Sequence, residues 1–232
     1  EQLDRTIGSS NVDLDARYEI VRQQESNLGD VIADSWLAAV DAPIALVNSG
    51  GIRGNTLYPA GPISYKNVTE ILPYRNEVSE AVLTGAQLKQ VLEISASAIR
   101  FDGDTVPDAQ RAPTGGFLQV AGLRIMIDPT GACFQAEYDG TDLVTLIEPG
   151  SRVLSVEVFL GDAWAPLDLE ATYNVLVTDW TASGGDGYYP FKDPSLTIQD
   201  TTTVTTDLLA KFVEDNSPLT QQPEGRITYA DR

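Results

Sequence analysis

Histidine is absent from the 232-residue chain, and cysteine occurs once. Without histidine the chain lacks the most common general base and the most common ligand of transition metals, so Ser-His-Asp and Cys-His catalysis are excluded within it. The single cysteine, Cys133, excludes an internal disulfide and a metal site built from thiolates. Because Cys133 stands at a turn that enters a predicted strand, we expect it to be a small buried filler.

Basic residues are also scarce: there are 15 lysines and arginines against 34 acidic residues, and the formal net charge is −19. A surface of this charge repels nucleic acid and anionic membranes, so an anionic ligand needs a local cluster of arginines. No apolar run approaches the ~18 residues of a membrane span. We therefore expect no nucleic-acid partner and no membrane span in this segment.

Helical and strand-like patterns are mixed along the chain without a regular βα alternation, which predicts one layered α+β domain. Residues 43–47 form an apolar run that indicates a buried strand. Residues 27–40 predict a helix with Asp30 and Asp34 opposite its apolar face. The sequence Thr84-Gly85-Ala86-Gln87 fits a capping box that opens another helix. Further helices are predicted at 67–72 and 207–213, and further strands at 77–83, 117–120, 123–127, 143–147, 153–160, 173–178 and 226–229.

The first residues differ in character from the rest. Residues 1–17 are polar, contain Gly8-Ser9-Ser10, and predict a connector. Residues 18–22 alternate between polar and apolar side chains and predict a strand. We therefore expect the folded domain to occupy residues 18–232.

A stretch with binding chemistry follows the buried strand, at Asn48-Ser49-Gly50-Gly51-Ile52-Arg53. Gly50 and Gly51 let an anion or a ring approach the backbone closely. The Arg53 guanidinium suits phosphate or carboxylate, and the Asn48 amide both donates and accepts hydrogen bonds. For these residues alone, a tight turn with a surface arginine is the stronger interpretation.

Two further segments carry similar chemistry. Arg22 lies just before the predicted helix at 27–40, whose N-terminus attracts anions. Taken alone, an exposed arginine paired with Glu25 is the simpler interpretation. Tyr74 follows a proline in a predicted loop, where its ring can stack on a base, and Asn76 offers a second amide. A loop aromatic is more often a lid over the core, so these residues indicate a site only in combination.

The most specific stretch runs from Thr178 to Tyr188. Trp180 ends a predicted strand, and Asp186 stands between glycines, where its carboxylate can accept two hydrogen bonds from a vicinal diol. Calcium binding is the alternative, but one carboxylate provides too few ligands for a tight site. Together the segments supply two arginines, two rings, two amides and one carboxylate, which match the parts of a nucleoside phosphate.

Six motifs in order make the chain resemble the C-terminal, substrate-binding domain of the 5′-nucleotidases, a family that includes UDP-sugar hydrolases and 2′,3′-cyclic phosphodiesterases. The resemblance runs from about Tyr18 to the end of the chain and implies a mixed α/β domain of the 5′-nucleotidase C-terminal type. The motifs are Glu25-Ser26-Asn27-Leu28-Gly29, Asn48-Ser49-Gly50-Gly51-Ile52-Arg53, Leu72-Pro73-Tyr74-Arg75-Asn76, Leu83-Thr84-Gly85-Ala86-Gln87-Leu88, Gly116-Phe117-Leu118-Gln119-Val120-Ala121-Gly122-Leu123 and Gly184-Gly185-Asp186-Gly187-Tyr188.

The resemblance assigns roles to individual residues. The family stacks the base between two aromatics, commonly phenylalanines, and the matching residues here are Tyr74 and Trp180, so base preference is expected to differ. Ser49 is a mild departure, because the family commonly has a third glycine there. The other expected substrate-binding residues are Arg22 and Arg53 on the phosphate side, Asn48 and Asn76 at the base edge, Asp186 at the ribose hydroxyls, and Gly51 in the first motif.

The resemblance also implies a second domain. In this family, catalysis lies in an N-terminal metallophosphatase domain that binds two divalent metal ions through Asp, Asn and His. We therefore expect no catalytic residue, metal site or cofactor in this chain, and a connection through residues 1–17 to that missing domain. The family further implies an extracytoplasmic location and rotation of one domain against the other.

The sequence therefore predicts the nucleotide-recognition domain of a metal-dependent nucleotide phosphohydrolase, inactive as an isolated chain. A stand-alone nucleotide- or nucleoside-binding module is the alternative. An interaction domain with a decayed pocket is a second one, although Arg53, Asp186 and both rings argue against decay. Base preference stays open, as does the choice among monophosphates, diphosphates, cyclic nucleotides and UDP-sugars.

Overall fold

The apolar run after Pro43 forms the strand β3 (Ile44–Asn48), which separates two hydrophobic cores. In the computed structural model, which describes residues 3–230, all five residues of this strand are buried. Ile44 and Leu46 belong to one core, and Ala45 and Val47 to the other, because successive side chains of a strand point to opposite faces. Burial on both faces explains why the run is continuously apolar.

A five-stranded sheet contains this strand. The strands in chain order are β1 (Thr6–Ser10), β2 (Leu14–Asp15), β3 (Ile44–Asn48), β4 (Leu57–Tyr58), β5 (Gly61–Ser64), β6 (Glu77–Thr84), β7 (Leu118–Ala121), β8 (Leu123–Ile127), β9 (Gln135–Asp139), β10 (Asp142–Glu148), β11 (Val153–Leu160), β12 (Ala163–Pro166), β13 (Thr172–Thr178), β14 (Ile198–Val204) and β15 (Ile227–Tyr229). The central order is β14-β6-β13-β3-β7, and β13 runs parallel to β3. A second sheet has the order β12-β11-β8-β15, and three strand pairs, β1–β5, β2–β4 and β9–β10, complete the set.

Helices cover both faces of the central sheet. They are α1 (Tyr18–Val21), α2 (Asn27–Leu37), α3 (Tyr65–Ile71), α4 (Gly85–Ser97), α5 (Asp179–Ala182) and α6 (Thr205–Asn216). Apolar residues of α2, α3 and α6 pack in the core that holds Val47. Those of α4 pack with the second sheet in the core that holds Leu46. The chain is therefore one mixed α/β domain in layers, as predicted.

Local sequence features explain where α4 begins and how β7 turns into β8. Thr84 accepts a hydrogen bond from the Gln87 backbone, and the Gln87 side chain returns to the Thr84 backbone, which confirms the predicted capping box. Gly122 joins β7 to β8 with φ of +74°, and a Cβ there would lie 1.8 Å from the Pro43 carbonyl oxygen. Only glycine fits this close approach.

The structure differs from the sequence predictions at the start of the domain. Residues 18–21 form a helical turn rather than a strand, and Tyr18 and Arg22, four residues apart, contact each other on its surface. The segment predicted as a connector contributes β1 and β2, in which Ile7 and Leu14 are buried. The strands of the domain therefore begin before Tyr18.

Candidate functional site

A cleft of about 370 Å³ opens where β3 and β13 end. Because the two strands are parallel, their carboxyl ends meet at one edge of the sheet, where α/β sheets commonly bind ligands. Six of the eight predicted site residues line this cleft, together with Gly50 and Gly115. The lining residues are Asn48, Gly50, Gly51, Tyr74, Asn76, Gly115, Trp180 and Asp186.

The two aromatic side chains of the cleft are half exposed, at 59% for Tyr74 and 50% for Trp180. Trp180 lies in α5, whose start is capped by Thr178. The indole lies against the backbone of Gly185, where a Cβ would be 2.3 Å from Trp180 Cε2. Exposed rings that line a concave surface provide apolar faces for a planar ligand.

Asp186 is held at the cleft by its neighbours. Its Oδ2 accepts a hydrogen bond of 2.9 Å from Asn48 Nδ2, and its backbone has φ of +58°. Burial raises the pKa of the Asp186 carboxyl, while hydrogen bonds from Asn48 and Trp180 and the charge of Arg22 oppose that rise. The two oxygens keep further capacity to accept hydrogen bonds from a ligand.

Asn76 is linked through Asp179 to the backbone of Trp180. Its Nδ2 donates to Asp179 Oδ1 at 2.7 Å, and the same oxygen accepts from the Trp180 backbone nitrogen at 2.8 Å. One donor of the Asn76 amide is therefore committed to the protein. The second N–H and the amide oxygen are the groups that a ligand could use.

The two arginines stand beside the cleft rather than among its lining residues. The Cζ atoms of Arg22 and Arg53 lie 3.8 and 5.4 Å from the centre of the Tyr18 ring, and Arg53 Cζ is 5.7 Å from that of Tyr74. Within residues 3–230 neither arginine forms an ion pair, and the buried Nε of Arg22 has no hydrogen-bond partner. By contrast, ion pairs engage Arg5, Arg17, Arg75, Arg100, Arg111, Arg152 and Arg226.

Two features of the site were not predicted. Gly50 and Gly115 bring two short 3₁₀ turns together, and a Cβ on Gly115 would lie 3.0 Å from Gly50 Cα. The Gly115-Gly116 pair is the sequence signal that could have indicated this approach. Tyr18 was assigned to a strand, and only its four-residue spacing from Arg22 could have indicated a contact.

A larger depression of about 570 Å³ lies between the start of α4 and the β9–β10 hairpin. Its charged groups Lys192 and Asp142 pair with each other, and Gln87 donates to Asp193. The polar groups there are engaged within the protein, so the cleft at β3 and β13 is the stronger candidate for ligand binding.

Across residues 3–230, no group of three or more Asp, Glu or Cys side chains is placed to hold a metal ion, and the chain has no histidine. The described residues therefore offer no set of side chains that would fit a two-metal centre. No helix in the same range has the length and apolar character needed to cross a bilayer.

The chain is a layered α/β domain with a cleft at the edge of its central sheet, and comparison with known proteins identifies its family. The family model described as "5′-nucleotidase, C-terminal domain" matches residues 6–193. The chain therefore belongs to the 5′-nucleotidase C-terminal domain family.

Individual relatives agree with this assignment. The chain is 35% identical to the trifunctional nucleotide phosphoesterase YfkN of Bacillus subtilis, over 82% of this chain and 11% of that protein. It is 29% identical to a 5′-nucleotidase of Vibrio parahaemolyticus, over 98% of this chain and 34% of that protein. A solved 5′-nucleotidase precursor from Thermus thermophilus matches with a TM-score of 0.80 and 32% identity, over 100% of this chain and 40% of that one. The chain thus spans well under half the length of these relatives.

Proposed function

We propose that the chain is the nucleotide-recognition domain of a 5′-nucleotidase-type phosphohydrolase. The observation that carries this proposal is the position of Arg22 and Arg53, which have no ion-pair partner in residues 3–230 of a strongly acidic chain and stand beside a cleft with two exposed rings. Charge, apolar faces and hydrogen-bonding groups are thereby available at one location. A nucleotide requires this combination.

Each part of a nucleotide has a proposed partner. The base stacks between Tyr74 and Trp180, whose rings line the same cleft. Asp186 accepts hydrogen bonds from the ribose hydroxyls, while Asn48 fixes the orientation of its carboxylate. The remaining groups of the Asn48 and Asn76 amides face the base edge, and Gly51 leaves room beside Asn48. Arg22 and Arg53 hold the phosphate side.

Removal of phosphate belongs to another part of the protein in this proposal. An N-terminal metallophosphatase domain of the same polypeptide would hold the two divalent ions, and the metal ions would activate water there. The relatives extend far beyond the segment that this chain matches, which supports a further domain. The relatives also support an extracytoplasmic location, because the matches include a snake venom 5′-nucleotidase.

Loss of either ring is expected to weaken binding. Tyr74→Ala or Trp180→Ala removes one stacking partner, which should reduce the binding free energy of both adenosine and AMP by about 1–3 kcal/mol. Isothermal titration calorimetry measures the effect, with Tyr74→Phe as the variant that keeps a ring. Trp164→Ala is a second control, because Trp164 packs on Phe159 and Arg124 outside the cleft. Unchanged affinity in Tyr74→Ala would contradict the base-stacking model.

Catalysis by the isolated chain is expected to be absent. With Mn²⁺, Zn²⁺ or Mg²⁺ the purified chain should release no phosphate from AMP, because it offers no set of metal ligands in residues 3–230. Phosphate release is measured beside a two-domain 5′-nucleotidase as positive control, and substantial turnover by the pure chain would refute the expectation. A gene without a metallophosphatase segment upstream would instead favour a stand-alone binding module.

A further inference from the structure

Tyr18 contacts both arginines of the proposed phosphate side, although Arg22 and Arg53 are far apart in the sequence. The guanidinium of Arg22 lies over the Tyr18 ring with Cζ 3.8 Å from its centre, and that of Arg53 lies over the same ring at 5.4 Å. Arg22 follows the helical turn α1, whereas Arg53 follows the turn after β3. One phenol ring therefore links two segments of the chain that carry the positive charge.

Two like charges held close together repel each other, and neither arginine has a carboxylate within ion-pair distance in residues 3–230. The face of an aromatic ring carries negative partial charge and attracts a guanidinium. The Tyr18 ring therefore offsets part of the repulsion without occupying the hydrogen-bonding edges of the arginines. Arg22 Nη1 donates to Thr114 Oγ1 and Arg53 Nη1 donates to the Gly50 carbonyl, each at 3.4 Å. The Nη2 groups form no such bond in residues 3–230 and remain as donors for an anion.

Backbone contacts fix Tyr18 relative to the Arg53 loop. The Tyr18 backbone nitrogen donates to Asn55 Oδ1 at 2.9 Å, and the Ala16 nitrogen donates to the Thr56 carbonyl at 3.0 Å. Asn55 lies two residues after Arg53 and has φ of +49°, a conformation that asparagine tolerates better than most residues. The ring position is thus set by the same loop that carries one of the two arginines.

We propose that Tyr18 is a positioning residue that holds Arg22 and Arg53 together for a phosphate group. This inference rests on the proposed function, because it concerns the phosphate side of the same site. Tyr18 acts through the arginines. Its effect should therefore appear with a ligand that carries phosphate and disappear with a nucleoside.

The test compares AMP with adenosine in Tyr18→Leu and Tyr18→Phe by calorimetry. Loss of two cation–π contacts in Tyr18→Leu should weaken AMP binding by roughly five- to thirtyfold and adenosine binding by less than about twofold. Tyr18→Phe keeps the ring face and should retain AMP affinity within about twofold. Circular dichroism melts check that each variant is folded, and the ratio of the two affinities is a readout that a general loss of stability does not change.

Several results would overturn the assignment. If Tyr18→Leu weakens AMP and adenosine equally, or if Tyr18→Phe loses as much AMP affinity as Tyr18→Leu, Tyr18 does not position the arginines. The same holds if the AMP-to-adenosine ratio of Tyr18→Leu equals that of the unchanged chain. If the unchanged chain binds neither ligand, the proposed function fails first and this inference falls with it, so the two failures are distinguishable.

Discussion

Replacement of Arg226 with methionine is expected to lower the free energy of unfolding by about 3–5 kcal/mol, because it leaves the partly buried Asp34 carboxylate without its cation. Arg226 has a side chain only 11% exposed and donates to both oxygens of Asp34 at 2.7 and 2.9 Å. Its Nε lies 3.7 Å from Asp30 Oδ1, and Asp30 is 1% exposed. Methionine preserves much of the length and apolar volume, so the loss reports the charge and its hydrogen bonds.

Urea denaturation measures this loss, and Arg124→Met is the matched control. Arg124 is exposed and contacts Trp164 at 4.1 Å from the ring centre, so its replacement should cost about 0.5–1 kcal/mol. A loss in Arg226→Met no larger than that of the control would show that the buried cluster contributes little net stability.

The segment that follows Arg22 is anchored to the C-terminal part of the domain by Glu25 and Asn27. Glu25 accepts hydrogen bonds from the backbone nitrogens of Glu224, Gly225 and Ile227. Asn27 then donates to the carbonyls of Asp13 and Gln221. The Glu25-Ser26-Asn27 part of the first family motif therefore ties both ends of the domain to the loop that carries Arg22. These three motif residues stabilise the backbone near the site and do not line the cleft.

Gln119 of β7 forms hydrogen bonds with the loop that carries Arg22. Its fully buried amide donates to the carbonyls of Val21 and Gln24 and accepts from the Ser26 nitrogen. The three bonded residues lie on both sides of Arg22 in the sequence. The position of Arg22, one of the two proposed phosphate-binding residues, therefore depends on the buried side chain of Gln119 in the central sheet.

Hydrophobic periodicity and capping predicted much of the fold from the sequence. The apolar run before Asn48, the inward face of α4 and the Thr84 capping box are each determined by neighbours within a few residues. The strands β1, β2, β4, β5, β12 and β14 were missed, because their sequences lack a long apolar alternation and pairing with a partner strand defines them.

Tertiary contacts account for the remaining errors. Asp30 and Asp34 were predicted on the side of α2 away from the core, yet Asp30 is buried and both lie near Arg226, which directly precedes the distant strand β15. No pattern within α2 encodes that partner. The cleft presents the same problem, because its lining residues lie where β3 and β13 end and just before β6 and β7 begin. Only the assembled sheet brings these positions together. The candidate residues could be chosen by chemistry and resemblance, whereas their convergence required the structure.

Burial of Asp30 leads to an unusual dependence of stability on pH. Burial raises the pKa of this carboxyl from 3.8 to about 8, with Arg226 opposing the rise and Glu25 and Asp34 adding to it. Neither Asp30 oxygen has a hydrogen-bond partner in the part of the chain that the structure describes. Between pH 4 and 8 the folded domain therefore keeps a proton that the unfolded chain releases, so stability falls as pH rises through this window.

The absence of histidine makes this effect measurable, because no imidazole titrates between pH 5 and 8. The free energy of unfolding should decline with pH, by at most about 1.4 kcal/mol per pH unit for one group. Asp30→Asn mimics the protonated acid and should flatten the decline in urea denaturation series at several pH values. Asp186→Asn is the control for the other carboxyl whose raised pKa comes from burial. If Asp30→Asn and the unchanged chain give parallel curves, Asp30 is ionised in the folded domain and Arg226 must neutralise two charges.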